Sequence, residues 1–306
     1  MIYLELEGRI GNQIFMYAAA RTLQLNSPDH PEIYIDDSRV KKLNWEDSLP
    51  FYDLPGVAGY VDDRSVLKKA NLRRAELAIF NHRHIGTRIY RSFRSRYEYE
   101  LRHKDKFLEQ GLIRCENGYI PLPDSVDKDV YMSGFFQSPK YFEDNQDEIR
   151  KLFRIEDKIA QSGYPGLDQI QNRNSVCISI KVEHNVGSVM YDVCTREYWE
   201  KAIKYITENV ENPLFFICSD NVPYVLEHFI DADKYDVVLQ SRDYPVQVSL
   251  GVMAQCKHFI IGNTSFGWWA QYLANNNDKI VITPSRWYGI DVPCDLYMDN
   301  WISIEV

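Results

Sequence analysis

The sequence predicts an α/β protein of two domains with mostly parallel sheets. Short apolar runs alternate with longer stretches of helical spacing, the pattern of a parallel sheet covered on both faces. Two polar turns, Gly8-Arg9-Ile10-Gly11 and Gly262-Asn263-Thr264-Ser265, each stand between an apolar strand pattern and a helical one. That arrangement presents backbone N–H groups and hydroxyls to an anionic ligand. The 306 residues suit two hydrophobic cores, and the Gly-, Pro- and Asn-rich stretch from Ser162 to Asn174 offers a linker.

In chain order, Ile2 to Glu7 alternates apolar and polar residues and reads as a strand, broken at Gly8. Asn12 to Asn26 has helical spacing, with Phe15, Ala19 and Leu23 on one stripe. Pro31 to Asp36 reads as a strand, and the aromatic, Pro-rich stretch from Asn44 to Gly59 as a loop. Asp129 to Ser133 reads as a strand and Lys140 to Phe153 as a charged helix. After the linker, strands are expected at Val176–Val182, Leu214–Cys218, Val237–Leu239, His258–Gly262 and Lys279–Ile282. Helices are expected at Glu197–Val210, Val222–Phe229, Val246–Cys256 and Phe266–Asn275. The domains are therefore expected to be 1–165 and 166–306, with a cleft between them suited to a nucleotide-linked ligand.

Hydrophobic content of 45% and charged content of 26% are ordinary for a soluble protein. No stretch reaches the roughly 18 apolar residues of a membrane span, and no signal peptide is expected. The six scattered cysteines contain no CxxC pair, so no zinc site and a reducing, cytoplasmic location are expected. The net charge of −9 hides a basic helical segment, 64–106, with 13 Lys/Arg against 4 Asp/Glu. It reads either as a solvated face with ion-pair partners elsewhere or as a patch for an anionic surface such as the inner membrane. Nucleic acid fits poorly, because the rest of the chain is acidic. Dinucleotide binding is disfavoured by the missing third glycine after Gly8-x-x-Gly11, and no GxxxxGK[ST] occurs.

Three long motifs resemble a known family. Gly8 to Arg21 (GRIGNQIFMYAAAR) resembles the opening motif of the family-11 glycosyltransferases, the α-1,2-fucosyltransferases. Tyr131 to Phe142 (YMSGFFQSPKYF) resembles their central segment. Cys256 to Trp269 (CKHFIIGNTSFGWW) resembles their late Ser/Thr-rich motif. The resemblance covers nearly the whole chain, in order. It implies a GT-B architecture of two Rossmann-like domains facing a cleft, with the acceptor mainly on the first and the GDP-sugar on the second. It implies metal-independent, inverting transfer of L-fucose from GDP-fucose to a galactoside hydroxyl in an α-1,2 linkage. No cofactor is implied beyond the GDP-sugar co-substrate. Eukaryotic members carry a membrane anchor, so its absence here suggests a bacterial enzyme of O-antigen or capsule synthesis. Its oligosaccharide acceptor could then be lipid-linked, with 64–106 touching the membrane. GDP-colitose is the alternative donor, and a non-catalytic nucleotide-sugar- or glycan-binding relative is the alternative class.

The chain departs from the family at one place. Members carry His-x-Arg-Arg-Gly-Asp on the first strand of the donor domain, whereas this strand reads Cys177 to Asn185 (CISIKVEHN). Lys181 stands for the His, Glu183 for the first Arg and His184 for the second. Strand alternation would put Lys181 and Glu183 on one face, and a carboxylate beside a diphosphate repels it unless paired or protonated. Three arrangements follow. Glu183 pairs with Lys181, leaving His184, Arg9 and the Asn263–Ser265 turn to hold the phosphates; or Glu183 or His184 is the general base; or the site binds weakly or takes another donor. Asp192 and Asp243 are lesser base candidates.

The candidate binding residues are Gly8, Arg9, Gly11, Asn12, Gln13, Lys181, Asp220, Asn263, Thr264 and Ser265, with no metal ligands. Several have plainer readings. Asn12, Gln13, Thr264 and Ser265 also suit helix starts, Arg9 a loop ion pair and Asp220 a turn. Trp268 and Trp269, consecutive on a helix, read as core rather than as a sugar platform.

Overall fold

Strand β1 (Ile2–Glu5) runs down the middle of a parallel sheet in the order β3-β2-β1-β5-β4, with β2 Ile33–Asp36, β3 Val57–Tyr60, β4 Leu112–Cys115 and β5 Val130–Gly134. Leu4 lies beside Ile35 on one side and Met132 on the other. The alternation of β1 suggests one wet face, but every residue of it is buried, Tyr3 and Glu5 included. Helix α1 (Ile10–Asn26) is apolar nearly all round, and Ile14 to Ala20 are fully buried, as befits a helix enclosed by its own domain. Each of its large side chains contributes about 1.5–3 kcal/mol by leaving water.

The computed structural model describes residues 1–61 and 93–306, which divide into two units: Met1–Leu152 with Asp291–Leu296, and Phe153–Ile290 with Tyr297–Val306. The division thus falls after Leu152 rather than at residue 165. The segment expected to link the domains is packed inside the second unit: Tyr164 is 3% exposed, and α7 (Leu167–Asn172) buries Ile170. Gly166, at φ +77°, starts that helix, so the Gly/Pro signal marks a turn, not a tether. Asp291–Leu296 joins the first unit through Arg94–Asp291 and through Asp295, which accepts from Ser138 and Lys140.

Helix α2 (Ser38–Lys42) follows β2. Most of the basic segment, including His82 and His84, lies outside the described residues; its last part forms α3 (Phe93–Arg102) and begins α4 (Lys104–Glu109). The helix expected from Lys140 becomes two 3-10 turns and then α5 (Gln146–Phe153). Phe142 leaves helical geometry because its ring is drawn into the core against Phe15, 6.1 Å away. Strand β3 occupies a stretch expected to be loop; it is a short edge strand with little burial to mark it.

In the second unit α6 (Glu156–Ala160) and α7 precede a parallel sheet in the order β11-β10-β9-β6-β7-β8. Its strands are β6 Asn174–Ile180, β7 Pro213–Ser219, β8 Asp236–Leu239, β9 His258–Ile261, β10 Val281–Pro284 and β11 Ile302–Ile304. Helices α8 Arg196–Asn209, α9 Val222–His228, α10 Val246–Met253 and α11 Ser265–Leu273 alternate with them, close to expectation. Trp268 and Trp269 are fully buried, Trp268 stacked on Tyr272 at 4.8 Å, so both are core.

Candidate active site

The second sheet reverses its winding once. In the second unit the chain steps from β6 outward to β7 and β8, returns to β9, and steps the other way to β10 and β11. The reversal lies between β6 and β9, and ligands of open α/β sheets bind outside the carboxyl ends of strands at such a point. Lys181, Glu183 and His184 leave β6 there, and Asn263, Thr264 and Ser265 leave β9. The structure thus brings together the two groups that the sequence singled out.

Their individual roles differ. Strand β6 ends at Ile180, so the alternation argument for Lys181 and Glu183 does not hold. Glu183 and His184 lie in an exposed turn, with His184 at φ +65°. Lys181 is half-buried. Asp220, at the end of β7, clamps this turn: its carboxylate accepts from Val182 N at 2.7 Å and Glu183 N at 3.2 Å. That is a turn-holding role, with the Asp220 carbonyl in turn accepting from Arg242 Nη2. Asn263 is 6% exposed, and both donors of its amide are spent on Tyr191 O (3.1 Å) and Trp287 O (2.9 Å). It anchors the loops around the turn instead of presenting an N–H outward.

Thr264 is the N-cap of α11; its hydroxyl oxygen accepts from Gly267 N at 3.1 Å and keeps its own proton to donate. Ser265, the first residue of the helix, is half-exposed. No acidic residue occupies the first turn of α11, so its positive end faces outward unopposed from within the helix. A hollow of about 10 Å³, room for one water, is lined there by Lys181, Asn185, Tyr191, Asp192, Cys194 and Asn263.

In the first sheet β1 and β5 are neighbours, with β4 outside β5 at the edge. Gly8 takes φ +75°, and a Cβ on it would come 2.3 Å from Asn12 Nδ2, so only glycine fits the turn as built. Arg9 is exposed at the N-cap of α1. Gly11 is buried beneath it. Asn12 is half-buried and accepts from Gln137 Nε2 at 2.8 Å, tying the turn to the segment after β5. Gln13 is fully buried: its amide donates to Gly8 O (3.0 Å) and Glu46 O (2.8 Å) and accepts from Ser48 N (2.8 Å). It straps the 46–48 loop to the turn and has no donor left for a ligand.

Sequence reading missed a charged cluster beside this turn. Glu5 and Glu7 look like the polar half of an alternating strand, yet they are 2% and 8% exposed. Glu5 accepts from Ser133 Oγ at 2.6 Å; Glu7 pairs with Arg39 at 2.6 Å. Arg114 donates to Glu100 and Glu116, both at 2.7 Å, and to Ser133 Oγ. Burial opposes the charge of Arg114, but Glu100 and Glu116 outweigh it and hold the guanidinium protonated. The Glu7 carboxyl is pushed up to about 7, chiefly by burial, which Arg39 and Arg114 oppose and Glu116 and Glu5 reinforce. Only the absence of a free aqueous face on β1, which needs the tertiary fold, reveals these groups. Gly267 was also missed. A Cβ there would meet Ser179 Oγ at 2.8 Å and Ser179 Cβ at 2.9 Å, so α11 rests directly on β6.

Among the described residues no helix is long and apolar enough to cross a membrane. The chain is 24% identical to the O-antigen biosynthesis glycosyltransferase WbnK of Escherichia coli, over 99% of this chain and 100% of that one. It is 27% identical to an alpha-1,2-colitosyltransferase of the same organism over 59% of this chain, and spans 64% of that relative's length. The fucosyltransferase NodZ from Bradyrhizobium has a similar fold, with a TM-score of 0.51 at 11% identity, covering 89% of this chain and 91% of NodZ. The fold, two α/β units with parallel sheets, is GT-B-like, and NodZ attests the fold alone. The model of the family described as glycosyl transferase family 11 matches residues 1–305, so the chain belongs to that family and is a glycosyltransferase.

Proposed function

We propose that the protein transfers a 6-deoxyhexose, L-fucose first, from its GDP-sugar to a galactoside hydroxyl with inversion, in the assembly of a bacterial surface polysaccharide. The observation that carries this reading is the meeting of the β6 and β9 termini at the reversal of the second sheet. The acid-free start of α11, with the Thr264 and Ser265 hydroxyls, is aimed there. Lys181 and Arg242 supply positive charge for the departing GDP and His184 a further hydrogen-bonding group, in place of the arginines usual in the family, and no metal is required. Preorganised donors and cations of this kind stabilise the charge that develops on a leaving group.

GDP-colitose is the second donor to test, because the 27% identical relative is named for transfer of colitose. The test is to incubate the protein with a galactoside and GDP-fucose, GDP-colitose or GDP-mannose, in a chelator, and to read product by mass spectrometry and anomeric configuration by NMR. An inverted deoxyhexosyl product with one of the first two is expected. Absence of both transfer and donor hydrolysis across the panel refutes the reading.

A further inference from the structure

Three large apolar side chains stand exposed on one loop of the second unit: Val186, Val189 and Tyr191, of which Val189 is 81% exposed. Single exposed apolar residues are ordinary, but a cluster on one loop marks a surface that meets something. The loop follows the carboxyl end of β6. A second loop, after β10, lies against it. Gly289 N donates to Met190 O at 2.8 Å, and a Cβ on Gly289 would come 2.3 Å from Val189 O, so the two backbones touch. The rings of Tyr191 and Tyr288 meet with their centroids 6.0 Å apart. Strands β6 and β10 are the two neighbours of β9, so these loops flank the turn that starts α11. Asn263 ties them to it: its amide donates to Tyr191 O and Trp287 O, and the next residue is Thr264, the N-cap. Val186 and Tyr191 also line the one-water hollow beside Asn263. An apolar, partly aromatic patch thus borders the position that the proposed function gives to the phosphates.

Resting on the transferase reading above, we propose that Val186, Val189, Tyr191 and Tyr288 form the subsite for the C6 methyl group of the donor sugar, and so select a 6-deoxyhexose over its 6-hydroxy counterpart. A 6-deoxyhexose differs from an ordinary hexose by a methyl group in place of a hydroxymethyl, and that methyl is the one wholly apolar corner of an otherwise polar ring. Against valine side chains and a tyrosine ring it leaves water at a gain. A hydroxyl in the same place would lose its water and find no partner on the valines, which offer neither donor nor acceptor. Guanine fits the patch less well, because the donors and acceptors along its edge need partners, and the carboxylate of this loop, Asp192, is engaged by Gly187 N at 2.7 Å. The sugar also follows the diphosphate directly, whereas the base stands a ribose further off.

The test is calorimetric titration of the wild type, Val189→Ser, Tyr191→Ala and the double variant with GDP-L-fucose, GDP-L-galactose (the same sugar bearing the C6 hydroxyl) and GDP. The wild type is expected to bind GDP-L-fucose about 10-fold or more tighter than GDP-L-galactose. The double variant should lose that preference by weakening GDP-L-fucose, with GDP affinity unchanged. The loop is held through backbone groups, Met190 O and Tyr191 O, so these substitutions should leave it standing, and an unaltered Tm checks this. Leu239→Ser, at an exposed position of the edge strand β8, should keep the preference. Equal wild-type affinity for the two sugars, or a preference that survives in the double variant, overturns the proposal. So does a parallel loss of GDP affinity, which would give the patch to the guanine. A wild type that binds no GDP-sugar would instead overturn the transferase reading, so the two failures are distinguishable.

Discussion

Gln13 offers the sharpest separation of binding from architecture. Its amide makes three hydrogen bonds to backbone at 2.8–3.0 Å with no exposure to water. Replacing it by alanine leaves Gly8 O, Glu46 O and Ser48 N unmatched in a buried place. At about 1 kcal/mol for each bond, the loss is about 3 kcal/mol. For a unit of roughly 150 residues that corresponds to a fall of about 6–12 °C in the melting temperature of the first unit. The damage should stay there: GDP affinity, which the proposed function assigns to the second unit, should be unchanged by titration calorimetry. Thermal unfolding followed by circular dichroism reads the first quantity. An unaltered Tm together with weakened sugar binding would show that Gln13 contacts ligand, and the strapping argument would fail.

Three other expectations follow from the same geometry. Gly267→Ala puts a Cβ within 3 Å of Ser179, forcing α11 off β6; a loss of about 1–3 kcal/mol with weaker GDP binding is expected in chemical denaturation and calorimetry, and a stabilised variant would refute the close contact. Thr264→Ala removes the cap on Gly267 N, costing about 1 kcal/mol, and should weaken GDP-sugar binding; unchanged affinity would remove its hydroxyl from the phosphate site. Glu7 also links stability to pH. Its value in the folded chain lies above the ordinary 4.5, so folding favours the protonated form. Stability should therefore decline as pH rises from about 4.5 through about 7 and level off above that. Allowing for screening by solvent, about 1–2 kcal/mol is at stake; Glu7→Gln should flatten this decline in urea titrations, and parallel curves for the two proteins would refute it.

The sequence by itself determined the class of fold and most of the elements of the second unit. Strands such as Leu214–Cys218 are continuous apolar runs between periodic helices, and local pattern suffices for them. It also determined the two turns, because Gly8 and the Gly262–Ser265 segment carry residue types that few other conformations require. Tertiary structure decided what those residues do. Asn263 and Gln13 carry the chemistry of ligand donors, yet burial turns both inward to backbone partners, since an enclosed amide must satisfy its hydrogen bonds. Glu5 and Glu7 look like solvent-facing strand residues, and only the packing around β1 and the segment that follows it makes them buried acids. The division of the chain after Leu152 and the return of Asp291–Leu296 to the first unit rest on contacts distant in sequence, such as Arg94 with Asp291. Periodicity reports whether a residue can be buried; what it meets there depends on which strands the chain places side by side.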